Sequence, residues 1–129
     1  MNPKDRKYSD EHEWVLLLGE KEALVGITDF AQEQLGDVVF VELPEPGTQV
    51  TQFQKIGEIE SVKTVTDLYT PISGELVEVN PEVVEQPELV NQDPYGQGWL
   101  VRIAVTEVSE LEDLLSSTEY DNLIADDEI

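Results

Sequence analysis

The sequence predicts a mainly β fold, a flattened barrel or sandwich with short helices and a C-terminal α-helix. Three observations predict it. Short runs rich in Val, Ile, Phe and Trp recur along the chain and stop at Gly- or Pro-containing turns, a pattern of antiparallel sandwiches rather than parallel sheets. Segment 36–44 (GDVVFVELP) is echoed by 74–81 (GELVEVNP), each reading Gly, acid, apolar, Val, any residue, Val, then turn. The two copies bracket residues 56–70, as in a quasi-twofold sandwich with a hairpin at its tip. The chain has 129 residues, 40% of them hydrophobic, enough to bury one core. That gives a single domain over 1–129, with its core at about 8–106 and an acidic helix and tail at about 107–129.

Residues 1–13 are polar and hold three of the seven basic residues, predicting a loose start that orders near Trp14. Residues 14–18 read as a buried strand and 22–28 as its partner, with 19–21 as the hairpin turn. Asp29, with Gln32 three positions on, predicts a capped short helix that Gly36 ends. Residues 37–43, rich in β-branched and aromatic side chains, read as a strand. Pro46-Gly47 supplies the turn after it. Strands at 55–61 and 65–70 flank residues 62–64, Pro71 to Gly74 makes the next turn, and 75–79 is a further strand. Asn80-Pro81 opens a one- or two-turn helix with Asn as N-cap. Residues 91–98 read as a Gly/Pro-rich loop, and 99–105 as the last strand. Ser109, with Glu112 three positions on, predicts the start of the C-terminal helix, Val108, Leu111, Leu114 and Leu115 sharing its apolar face. From residue 107 to the end there are nine acidic residues and no basic one, which predicts an acidic, fraying terminus.

Composition narrows the function. Seven basic against 29 acidic residues give a formal charge of −22, which repels nucleic acid and anionic membranes alike. With no Cys there is no disulfide, thiolate metal site or cysteine nucleophile, so redox chemistry has to come from a cofactor. The single histidine, His12, rules out a His-rich zinc site, and no metal site is expected. No apolar run has the length of a membrane span. The polar N-terminus, without presequence features, favours a bacterial cytoplasmic protein, mitochondrial only as a processed form.

Lys63 is the only basic residue between Lys55 and Arg102. If the flanking strands pair, it sits at a hairpin tip, its stem fixed by a scaffold and its amine in water, as a carrier lysine requires. An exposed turn lysine is ordinarily just solvated, so spacing alone leaves both readings open. Four stretches taken together resemble the H protein family of the glycine cleavage system. They are HEWV at 12–15; VGITDFAQ at 25–32 continuing into 36–44; ESVK at 60–63 with DLY at 67–69 and PISGE at 71–75; and VN at 90–91 with DPYG at 93–96 and GWL at 98–100. The resemblance spans about residues 8–120 in order.

The resemblance implies a biotinyl/lipoyl-carrier (hammerhead) fold, a single lipoyl-carrier domain, and lipoic acid joined by an amide to Lys63. It implies a carrier and not an enzyme. The carrier's aminomethyl cargo passes from the pyridoxal-phosphate glycine decarboxylase (P protein) to the folate-dependent aminomethyltransferase (T protein). Dihydrolipoyl dehydrogenase (L protein) reoxidises the dithiol, and lipoylation enzymes install the group. A dry cleft protecting that cargo needs a partner for an ammonium. Glu13, from HEWV, and Asp67, four residues after Lys63, are the candidates, each otherwise a plain solvated carboxylate. His12 is assigned no catalysis. Thr64 and Thr66 stand where the family often has Ala or Ser, and Gln52-Phe53-Gln54 where a glycine-containing approach is expected. A biotin carrier is disfavoured because the lysine's neighbours are Val62 and Thr64 rather than Met. A 2-oxoacid dehydrogenase lipoyl domain normally sits in a longer chain. A protein that only relays lipoyl groups would fit the same residues, and so would an unmodified acidic β adaptor with Lys63 incidental.

Overall fold

Alternating β-branched runs build two antiparallel sheets in the computed structural model, which describes residues 2–127. In spatial order the larger sheet contains β1 (Lys7–Tyr8), β2 (Glu13–Leu18), β3 (Glu22–Ile27), β9 (Val101–Val105), β8 (Gly74–Val79) and β5 (Gln49–Val50). The smaller contains β4 (Val38–Glu42), β6 (Lys55–Ser61) and β7 (Val65–Tyr69). The architecture is therefore the expected mainly β sandwich. The two echoed segments supply β4 and β8, one strand to each sheet.

The core follows from the pleat. In β9 Val101, Ile103 and Val105 are buried, while Arg102 turns outward to Glu22 (3.6 Å) and Glu78 (3.1 Å). Val15, Ala23, Val25 and Leu76 of the larger sheet join Val41, Ile59 and Leu68 of the smaller in one buried cluster. Each large side chain there contributes roughly 2 kcal/mol by leaving water. At its start β2 is buried on both faces, as its near-continuous apolar run requires. Val15 enters the main core, and Trp14 enters a second cluster with Tyr8 and Tyr120. The Trp14 indole N–H donates to the carbonyls of Ile27 and Pro94, both at 3.0 Å. Gly26 lies opposite Trp14 in the ladder, where a Cβ would fall 2.6 Å from the indole ring.

Several predicted boundaries move. The start of the chain is not loose: Lys7 and Tyr8 pair with Val15 and Trp14, and Tyr8 exchanges backbone hydrogen bonds with Leu115. Arg6 stacks over Trp14, 4.7 Å from the ring centroid, a cation–π contact that polarity along the sequence does not reveal. Helix α1 (Asp29–Leu35) is capped by Thr28 rather than Asp29: Thr28 Oγ1 accepts from the Ala31 N–H at 3.2 Å. Asp29 instead occupies the first turn, where its charge suits the dipole. Gly36 ends the helix at φ +79°. Helix α2 (Pro81–Glu85) is capped by Asn80 as expected, but α3 (Leu89–Gln92) takes the beginning of the predicted loop.

The C-terminal helix begins later than the leucine spacing suggests. Residues Val108–Asp113 form a 3-10 turn, Leu114 leaves it in extended conformation, and α4 spans Ser117–Asp127. Its capping box is Ser116 with Glu119, not Ser109 with Glu112. Ser116 Oγ accepts from the Glu119 N–H at 3.1 Å, and Glu119 Oε1 accepts from the Ser116 N–H at 2.9 Å. Tyr120, Leu123 and Ile124 carry this helix into the aromatic cluster. The acidic end expected to fray is helical through Asp127, and residues 128–129 lie outside the described residues. Among the described residues no helix is long and apolar enough to cross a membrane.

Candidate functional site

β6 and β7 pair down to Glu60 and Val65, which leaves Ser61 to Thr64 as a tight hairpin end with Lys63 exposed on it. Three sets of bonds stiffen the tip. The Ser61 N–H donates to the Thr64 carbonyl at 2.8 Å. Ser61 Oγ accepts from the N–H groups of Thr64 (3.1 Å) and Lys63 (3.3 Å). The Val62 N–H donates to the Asp37 carbonyl at 3.0 Å, fixing the tip to the chain entering β4. Asn91 in turn clamps that entry: its Nδ2 donates to the Gly36 carbonyl (2.8 Å), and its Oδ1 accepts from the Val38 N–H (2.9 Å). The Lys63 stem passes over Gly36, with Cε 3.3 Å from where a Cβ would stand. A Cβ at that position would require the lysine stem to give by a few tenths of an ångström.

Beside this tip lies a cleft of about 450 Å³. Glu13, Asp67, Thr64 and Thr66 line it, with Ile59, Leu35 and Phe30 among its apolar walls. The structure therefore brings both predicted carboxylates to one recess, adjacent to the residue that follows Lys63. Glu13 is 2% exposed. Its Oε1 accepts from Ser9 Oγ at 2.5 Å and its Oε2 from the Tyr69 N–H at 3.1 Å. Burial pushes its pKa up to about 8, against the pull of those two bonds, and Glu11 and Asp10 add like charge. A carboxyl so placed is neutral near pH 7, and a cation entering the cleft would favour its ionised form.

Asp67 is different. It is exposed on β7 at the cleft's rim, ion-paired to Lys55 Nζ at 3.1 Å, and accepts from the Tyr69 hydroxyl at 3.3 Å. His12 has φ +70°, places Nδ1 2.7 Å from the Tyr120 hydroxyl and packs on Phe30 with ring centroids 4.9 Å apart. Its place is thus structural, as a wall of the cleft. Sequence reasoning missed Ser9, whose Oγ both accepts from the Glu13 N–H (3.1 Å) and donates to the Glu13 carboxyl. A hydroxyl four residues before a buried acid was the available signal, but the acid's burial is not visible in the sequence. Among the described residues no cluster of His, Asp or Glu could hold a metal ion.

A model of the glycine cleavage H-protein family matches residues 6–127. The chain is 50% identical over 125 residues to a glycine cleavage system H protein of Carboxydothermus hydrogenoformans, covering 97% of this chain and 95% of the relative. It is 55% identical over 119 residues to the protein of that description from Symbiobacterium thermophilum, covering 92% of each. Its fold superposes on a crystal structure of a glycine cleavage system H protein from Mycobacterium marinum with a TM-score of 0.88. That pair is 44% identical, and the match covers 96% of this chain and 99% of the other.

Proposed function

Because the chain belongs to the glycine cleavage H-protein family, we propose that it carries lipoic acid as an amide on Lys63 and serves that system as a carrier rather than an enzyme. The observation that supports this best is an exposed lysine on a pinned hairpin beside a recess containing a buried carboxyl. The residues fit the group: the amine is free to be acylated, and the cleft opens next to it. Lipoyl dithiol chemistry, which a Cys-free chain cannot supply, would let the carrier take an aminomethyl group from the P protein, yield it to the T protein and be reoxidised by the L protein.

The chain's own residues then have distinct tasks. Acylation removes the Lys63 charge and leaves a neutral tether on an acidic surface. Ile59, Leu35 and Phe30 keep water from the cleft's apolar side. Glu13, poised near neutrality, offers the ammonium of the cargo a carboxylate whose ionisation the cation itself promotes. Asp67 adds a second, solvated carboxylate at the rim, already shared with Lys55. On this reading residues 1–129 act as a single lipoyl-carrier domain, with P, T and L proteins and the lipoylation enzymes as partners. The bacterial relatives favour a cytoplasmic location.

Intact mass of protein purified from lipoate-replete native cells tests the proposal. One lipoyl-sized increment is expected, absent in Lys63→Arg. Reconstituted glycine decarboxylation with P, T and L proteins should depend on that increment. An unmodified mass would leave an acidic β adaptor, and lipoylation without decarboxylation would leave a relay role.

A further inference from the structure

Phe53 has φ +67°, in the left-handed region that favours glycine, and its side chain is half exposed (50%). Neighbouring bonds hold the backbone there. The Phe53 N–H donates to the Thr70 carbonyl at 2.6 Å, the Gln54 N–H to the Thr51 carbonyl at 2.9 Å, and the Gln52 N–H to Ser73 Oγ at 2.7 Å. Phe53 lies in Gln52-Phe53-Gln54, where the family resemblance implies a glycine-containing approach to the hairpin. A bulky residue kept in a disfavoured conformation, without the return of deep burial, asks for a use.

Its ring lines a second recess of about 420 Å³ together with Tyr69, Asp10 and Glu11. Glu11 also lines the cleft that holds Glu13, so the two recesses adjoin. Asp67 foremost, and Glu11 among the other causes, push the Tyr69 phenol upward, which marks a negative field at that wall. Two aromatic side chains beside two carboxylates form the environment that attracts an alkylammonium or guanidinium group.

We propose that the recess lined by Phe53, Tyr69, Asp10 and Glu11 receives an arginine or lysine side chain of an enzyme that the carrier visits. The inference rests on the carrier reading for the identity of that enzyme. Charge selects the occupant: a chain of net charge −22 repels anionic partners and gathers basic protein surfaces. The aromatic walls distinguish this spot from the rest of the acidic surface, since solvated carboxylates alone have no need of Phe53.

The probe is N-acetyl-arginine methylamide, with its uncharged citrulline counterpart as control, titrated into the full unmodified chain and followed by amide chemical shifts. Saturable shifts at residues 10, 11, 53 and 69 are expected for the arginine compound alone. They should vanish in Phe53→Gly, which relieves the backbone, and in Phe53→Leu, which keeps apolar bulk without a π face. No saturable shift, or an equal response to citrulline, overturns the proposal. With lipoylated protein, Phe53→Gly should raise KM for at least one of the three enzymes about threefold at unchanged kcat. Unaltered KM for all three also overturns it. Glycine accepts this φ, so Phe53→Gly should melt at or above the parent's temperature, and the loss is then not one of folding. If Lys63 proved unmodified the carrier reading would fall, while the titration, which needs no lipoyl group, would still report on the recess.

Discussion

At the scale of one residue, Glu13 joins fold to chemistry. Its carboxyl is held near pKa 8 mainly by burial, against an ordinary value of 4.5. In the unfolded chain it ionises near that ordinary value, whereas in the folded chain it keeps its proton up to about pH 8. Folding therefore binds a proton between the two values, and stability falls as pH rises through that window, then levels off above it. The integrated loss is on the order of a few kcal/mol. Glu13→Gln has no proton to give up. Urea unfolding at steps from about pH 5 to about pH 8 should show the difference between variant and parent moving steadily in the variant's favour. A constant difference across the window would mean that Glu13 ionises normally. This property was half legible in the sequence. HEWV and the family resemblance pointed to the position, but the neutral state depends on β2 being buried on both faces, while Ser9, closing over the carboxyl, pulls toward the ionised form. Neither can be read from a chain with 29 acids.

At the scale of elements, the C-terminal segment shows how one pattern can fit two places. Both Ser109 to Glu112 and Ser116 to Glu119 read Ser-x-x-Glu. The later box closes because Leu115 is held in a backbone bridge to Tyr8, which delays the helix. Glu110 is meanwhile engaged by Ser73, whose N–H (2.8 Å) and hydroxyl (2.7 Å) both donate to its carboxylate. Tertiary pairing thus overrode a local signal that was correct in kind and wrong in register. The strands were more legible, because their signal is burial of alternate residues, which sequence period reports directly. Ser116→Ala should cost about 1 kcal/mol and raise amide exchange in the first turn of α4, whereas Ser109→Ala should stay within about 0.5 kcal/mol of the parent. Thermal unfolding combined with hydrogen exchange measures both; equal costs would put the cap elsewhere. The same helix sends Tyr120 onto Tyr8, rings stacked at 4.9 Å, with its hydroxyl 2.8 Å from Thr28 Oγ1. The last element therefore braces the first strand and the cap of α1.

At the scale of the molecule the governing quantity is charge. Much of the scarce positive charge is already engaged. Arg102 sits between Glu22 and Glu78, Lys55 between Glu58 and Asp67, and Arg6 is paired with Asp5 and stacked on Trp14. Acylating Lys63 would remove one more cation. What an approaching enzyme would then meet at long range is a strongly negative body bearing a neutral arm. Such a field speeds encounter with a basic docking surface and makes little demand on contact area, which suits a carrier that has to leave as readily as it arrives. The field is screened over about 10 Å at 0.1 M ionic strength. For each enzyme with a basic docking face, kcat/KM toward the lipoylated chain should fall severalfold as ionic strength rises from about 0.02 to about 0.3 M, with kcat steady, because screening slows encounter and leaves chemistry untouched. Phe53→Gly adds a further lever: it leaves every charge in place, so the variant should keep the parent's salt slope while its kcat/KM toward the enzyme that uses the recess is lower at every ionic strength. A flat response in the parent would mean that short-range contacts alone guide docking, and the large negative charge would then serve solubility rather than delivery.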